Sequence, residues 1–144
     1  MSPQFNESLV PRALSVLRIV TAFLLIQHGT AKHFGFPHVA AFDNLVTLSL
    51  PGIAGILEVV GGALLLIGLF TRPVAFVLSG LLAFAYFIGH APRGNVLSPM
   101  LNGGEAAVLF CFIFLFMAAA GGGSWSLDAR RAPPRSRGLL GAAR

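Results

Sequence analysis

The chain has 144 residues, 56% of them hydrophobic and only 10% charged, with a mean hydropathy of +0.81. This balance excludes an ordinary soluble domain and describes a chain embedded in lipid, while the length allows one domain and no separate extramembrane catalytic module. The net charge of +5 gathers largely in five arginines after the last apolar run, so it reads as a topology determinant touching anionic headgroups, not as a nucleic-acid surface.

The expected fold is all-α: a bundle of four transmembrane helices over about 14–34, 50–70, 73–91 and 103–121. Each run approaches the roughly 20 residues a helix needs to cross the hydrocarbon core. Residues 1–13 form an N-terminal segment, 14–128 the membrane domain and 129–144 a basic disordered tail holding Arg130, Arg131, Arg135, Arg137 and Arg144.

The first span carries Arg18, Gln27, His28 and Lys32. Arg18 is expected to snorkel at the near end. A cleaved leader is the competing reading, and the missing small-x-small site after the apolar run argues against it. In the following loop, Val39, Phe42, Leu45, Val46 and Leu48 recur at spacings of three and four. The loop is therefore either an interfacial helix or an irregular segment over the bundle mouth.

The second span holds Glu58 on a stripe with Ala54 and Gly62, beside Gly55 and Gly61. Small residues around a carboxylate suit close helix packing, so Glu58 should face a neighbouring helix. The link to the third span is Thr71-Arg72-Pro73, in which Thr71 can cap the third helix and Pro73 fits its first turn. So short a link makes the two helices antiparallel. Tyr86 and His90 sit four residues apart on the third span and share a face. Asn102-x-x-Glu105 has the form of a capping box for the fourth. The single cysteine, Cys111, lies inside an apolar run and rules out an intrachain disulfide or a CxxC motif.

Four spans put the N-terminus, the Arg72 link and the tail on one side, with most of the basic residues. The positive-inside rule makes that side cytoplasmic, at the inner membrane. Lys32, His28, Glu58, Tyr86, His90 and Glu105 then all fall in the outer half of the bilayer, where burying charge is costly. Lys32 is expected to form a buried ion pair with Glu58 or Glu105.

These residues resemble the DoxX-like family of small four-helix membrane proteins. The resemblance rests on Gln27-His28-Gly29-x-x-Lys32, Leu57-Glu58-x-x-Gly61-Gly62 and Gly68-Leu69-Phe70-Thr71-Arg72. His90, Gly104-Glu105 and the run Gly121-Gly122-Gly123-Ser124-Trp125-Ser126-Leu127-Asp128 complete it, so that it covers residues 12–128. It implies a membrane subunit of a redox assembly. One branch of the family is associated with thiosulfate oxidation coupled to quinone, and another with a complex joining a superoxide dismutase and a sulfurtransferase. It also implies that Lys32, Glu58, His90 and Glu105 form the polar core of a quinone or thiol-substrate site.

The leading expectation is a subunit of a redox or oxidative-stress assembly whose outer pocket holds a quinone or small substrate. His28 or His90 exchanges a proton at the ligand, Glu58 receives or holds it, and Lys32 balances charge or hydrogen-bonds a quinone carbonyl, with Tyr86, Glu105 and Gln27 also binding the ligand. No intrinsic cofactor or metal is expected, and the chain alone is not expected to be catalytic. Expected partners are membrane lipid, soluble redox or sulfur-transfer proteins and a second copy of the chain, with no nucleic acid. The alternatives are a non-enzymatic scaffold, a haem or metal protein using His28 and His90, and a small transporter.

Overall fold

The computed structural model describes residues 3–131, with side chains from residue 9 onward. Among these residues all regular structure is helical. The first helix, α1, runs over Pro3–Phe34 and is apolar from Leu9. It starts well before the expected boundary at residue 14. A hydrophobic stretch carries it on past Pro11, which removes only one backbone donor.

The second helix, α2, spans Leu50–Ile67. Ser49 caps its start, its hydroxyl accepting the Gly52 N–H at 3.3 Å. Gly68 ends it at φ 70°, a left-handed conformation that costs glycine little. The third helix, α3, covers Thr71–Ala85 and continues through a π-turn, Tyr86–His90, and a tight turn at Ala91–Arg93. After the short α4 (Pro99–Asn102) come α5 (Glu105–Ala120) and a small terminal helix, α6 (Leu127–Arg131). Ala129–Arg131 are therefore helical and not part of a tail; the remainder of the expected tail, with Arg135, Arg137 and Arg144, lies outside the described residues.

Among the described residues three segments are long and apolar enough to cross a membrane: Leu9–Phe34, Leu50–Ile67 and Thr71–Arg93. The fourth expected span, 103–121, is reduced to the 16 residues of α5. That is about 24 Å of helix, a few ångströms less than the hydrocarbon core. Gly103 and Gly104 break the helix before it can extend.

The closest pairs are α1 along α2 and α3 along α5, while α2 and α3 also pack beyond their shared turn, Gly61 against Leu78. The core holds Leu25, Leu65, Leu78, Leu82, Phe110, Phe114 and Met117. Glycines let α1 and α2 approach closely; a Cβ at Gly62 would come within 2.7 Å of Ile26 Cγ1. α1 and α5 do not pack closely on each other. The bundle is thus left open on one side.

The end where α1 begins and α6 lies is closed by backbone-directed charges. Arg18 does not snorkel: it is fully buried. Its Nε donates to Gly122 O at 2.8 Å and its Nη2 to Trp125 O at 3.2 Å. Nη1 donates to Leu66 O at 2.7 Å and also to Leu65 O. Leu65 and Leu66 are in the last turn of α2, at the negative end of the helix dipole; the Leu65 carbonyl also accepts the Gly68 N–H at 3.0 Å. Four of the guanidinium's five N–H positions are thereby engaged, which a lysine could not reproduce.

Asp128 makes the complementary arrangement at the start of α3. Its two carboxylate oxygens accept the Phe70 N–H at 2.9 Å and the Thr71 N–H at 2.7 Å. The expected cap, Thr71, is instead the first residue of the helix, and its hydroxyl does not cap it. Phe70 occupies the capping position with φ 51°, where its own side chain has no group to offer the free N–H donors. A carboxylate from 57 residues downstream does the work.

Candidate functional site

At the opposite end, α1 brings Lys32 against α2. Lys32 Nζ lies 2.7 Å from both carboxylate oxygens of Glu58. The two side chains are 11% and 6% exposed, so this pair is largely withdrawn from water. Glu58 faces α1, as its small-residue stripe predicts; Gly55 gives the room, since a Cβ there would come 3.0 Å from Lys32 Cδ. Next to it His33 Nε2 is 2.8 Å from Gly52 O. A buried pair of this kind roughly breaks even against its desolvation, but removing one partner costs about 3–5 kcal/mol.

Beside the pair lies a groove of about 460 Å³ between α1 and α5. Leu24, Ala31, Leu109, Phe110 and Ile113 make its walls apolar, and Gln27 and His28 are the strongly polar groups on them. The His28 ring meets Phe110 edge-on, with centroids 6.0 Å apart. Pro37, Val39 and Phe42 from the 35–49 loop cover one end. Of the two readings of that loop, the irregular one holds: its helical content is a single turn, Ala40–Phe42. Lys32 Nζ sits 5.9 Å from the Phe42 ring centroid, so Phe42 separates the ion pair from the groove.

The other expected site residues fall elsewhere. Tyr86 and His90 do share a face and stack, 6.5 Å between centroids and 18° between planes. Tyr86, however, is tied into the 91–104 loop. Its hydroxyl donates to Val96 O at 2.6 Å and accepts from Asn102 Nδ2 at 3.1 Å. Asn102 also donates to Asn95 O and accepts the Gly104 N–H. No capping box forms, because Asn102 closes α4 and Gly104 stands at the cap position of α5. Glu105 is exposed, on the wall of a separate hollow with Met100 and Leu101. The ion pair of Lys32 is with Glu58, not Glu105.

His90 Nδ1 is buried with no hydrogen-bond partner among the described residues. An unmet polar atom of this kind costs about 1–3 kcal/mol, and π-turns of the sort that carries His90 recur at functional sites. The metal alternative gains no support from the donor set: among the described residues no three His, Cys, Asp or Glu side chains gather.

Sequence reasoning missed Arg18, Asp128 and Asn102. For Arg18 a signal exists. Ser15, Arg18, Ala22, Leu25, Gly29 and Lys32 recur at alternating spacings of three and four on α1, and this is the face turned to α2.

The DoxX family model matches residues 13–91, which hold α1 through the π-turn and so both partners of the ion pair. An uncharacterized protein of Haemophilus influenzae is 44% identical over 124 residues, covering 85% of this chain and 92% of that protein. The inner membrane protein YphA of Escherichia coli is 28% identical over 127 residues, covering 83% and 91% respectively. No solved structure matches the chain. Three spanning-length helices and an inner-membrane relative fit a multi-pass inner membrane protein. With more than half of its length matched by the family model, the chain belongs to the DoxX family.

Proposed function

We propose that the chain is the membrane subunit of a redox or oxidative-stress assembly and that the groove between α1 and α5 receives a quinone headgroup or similar lipid-soluble substrate. In this reading the chain crosses the inner membrane four times. The short α5 is the fourth crossing, and residues 121–126 after it are bonded to α1 at Pro11, Ser15 and Arg18. Both termini lie on the cytoplasmic side, where the positive-inside rule puts the arginine-rich end.

One observation carries the proposal: the groove is open between two helices that do not pack closely, apolar along its length, and polar at Gln27 and His28. An apolar cleft with few polar groups, reachable from the bilayer, suits an amphipathic ligand with a small oxygen-bearing head. His28 is the group on the wall that can exchange a proton near neutral pH. Lys32 and Glu58 lie behind Phe42, and a proton reaching Glu58 displaces one of its bonds to Lys32. His90, off the groove, is a second proton carrier whose Nδ1 is unmatched. Quinone conversion moves two electrons and two protons; the electrons belong to a partner protein, since a single cysteine cannot cycle through a disulfide of its own.

A second reading, a scaffold without catalysis, is favoured by one fact: Lys32 and Glu58 satisfy each other and need no ligand.

The test is solvent extraction of the gently purified protein and mass spectrometry of what it retains, with His28→Ala and Glu58→Gln alongside. The proposal expects near-stoichiometric quinone in the wild type and strong loss in His28→Ala with helicity unchanged. Equal retention by the wild type and folded His28→Ala would exclude the groove as the quinone site. Absence of quinone from the wild type, together with failure of added quinone to shift its thermal unfolding, favours the scaffold.

A further inference from the structure

We propose that the Arg18 end of the bundle carries a binding face for anionic phospholipid, independent of the groove and of the redox reading. The groove would take its ligand at the other end of the same helices.

Arg12, Arg72, Arg130 and Arg131 are all exposed at this end. None of them forms an ion pair within 4.0 Å among the residues whose side chains are described. Among the residues whose side chains are described, the Asp128 carboxylate at this end is already committed, with both oxygens on the Phe70 and Thr71 N–H groups. Asp128 lies three residues from Arg131 on α6, so the test is made on Arg12, Arg72 and Arg130. The hydrogen bonds fix these residues around one cap. Ser124 N–H donates to Pro11 O beside Arg12. Gly121 lies against Arg72, whose Nε is 3.7 Å from where a glycine Cβ would stand. Asp128 ties α6, and with it Arg130, to the start of α3.

Position selects lipid from among the anions. Arg12 and Arg72 stand in the opening turns of spanning segments that begin at Leu9 and Thr71, so their side chains reach the headgroup level. At the same end, Trp125 is 54% and Phe70 58% exposed. Aromatic rings at a helix end beside cations belong to the membrane–water interface, where ring and guanidinium meet glycerol and phosphate together. Arginine's planar fork also matches phosphate in a bidentate geometry. A soluble acidic protein would need the arginines but not the two apolar rings.

The test uses the full chain in mixed micelles holding equal amounts of phosphatidylglycerol and phosphatidylcholine with identical acyl chains. Lipid that stays with the protein through size exclusion is extracted and quantified. The expected result is several-fold enrichment of phosphatidylglycerol, reduced in each of Arg12→Gln, Arg72→Gln and Arg130→Gln and brought to equal retention of the two lipids in the triple variant. Arg93→Gln, at the other end, leaves enrichment unchanged, and near-UV circular dichroism shows that each variant is folded. Equal retention of the two lipids, or enrichment that survives the folded triple variant, overturns the proposal. Loss of phosphatidylglycerol to millimolar sodium phosphate would make this a free-phosphate site, and loss to poly-glutamate a protein-docking site; either replaces the lipid assignment.

Discussion

The two ends of this bundle use charge in opposite ways. At the Arg18 end each buried or capping charge is spent on backbone: the guanidinium on carbonyls of residues 65, 66, 122 and 125, the Asp128 carboxylate on two N–H groups. At the Lys32 end charge meets charge, at 2.7 Å, with His28 on a groove wall and His90 Nδ1 unmatched close by in sequence to the loop. Charges bound to backbone dipoles close helix ends and leave little free for chemistry. Ionisable side chains beside an open cleft are available to a ligand. The buried charges of the first end therefore hold the fold and leave only its exposed arginines to meet lipid, while the second end is where a reacting ligand is sought.

The comparison breaks most readily at Arg18. Arg18→Met removes the side-chain donor from four carbonyls, of which Leu65 keeps the Gly68 N–H, and a loss of at least about 3 kcal/mol is expected, enough to prevent recovery of folded protein in mild detergent. Arg18→Lys should recover only part. Thermal unfolding in detergent checks both, and a wild-type transition for Arg18→Met would refute the lock. Next comes the ion pair. Lys32→Met or Glu58→Gln alone should cost about 3–5 kcal/mol if the remaining partner is left without compensation, and the double substitution much less than the sum. Additive losses in that double-mutant cycle would mean the pair is not coupled.

Asp128→Asn is expected to cost about 1 kcal/mol, the usual scale of an N-terminal helix cap. The pH dependence follows from the same carboxylate. Burial raises its pKa, but the N–H groups of Thr71 and Phe70 and the charge of Arg131 outweigh this and hold it below the ordinary carboxylate value. A lowered folded-state pKa contributes stability that is complete above the unfolded value, near pH 4, and is lost as pH falls through the lower folded value. The wild type should therefore lose this contribution only below about pH 4, and Asp128→Asn should lack that acid step. The smallest effect belongs to His28→Ala, expected within about 0.5 kcal/mol in stability because the ring is exposed on the groove wall. Its effect should appear in ligand retention instead, which sharpens the contrast between the ends.

Much of this was legible in the residues. Glu58 sits where its small-residue stripe puts it, and Lys32 is the cation that meets it, because helical spacing determines a face and the direction of each helix, with its rise per residue, brings the two to the same end. Arg18 was not legible as a buried group. A single arginine near a span end reads as snorkelling, and only its place on the Ser15–Lys32 face, set by contact with α2, turns it inward. Asp128 escaped because its target, the start of α3, lies 57 residues away in sequence, beyond any local pattern. Asn102 and Glu105 have the spacing of a capping box, but Gly103 at φ 72° ends α4 between them. Local spacing cannot register that break. The same glycine pair shortens α5.

The contact from Arg18 to Gly122 bridges 104 residues of sequence. During synthesis α1 enters the bilayer with its guanidinium facing the site of α2, while two of its four acceptors do not yet exist. At about 5–20 residues per second, that interval lasts roughly 5–20 s. Over this time the newborn helix must be sheltered by the insertion machinery or by water at the interface. Truncations that stop short of residue 122 should then be recognised as unfinished and degraded, even though every residue of the ion pair and most of the groove would already have been made.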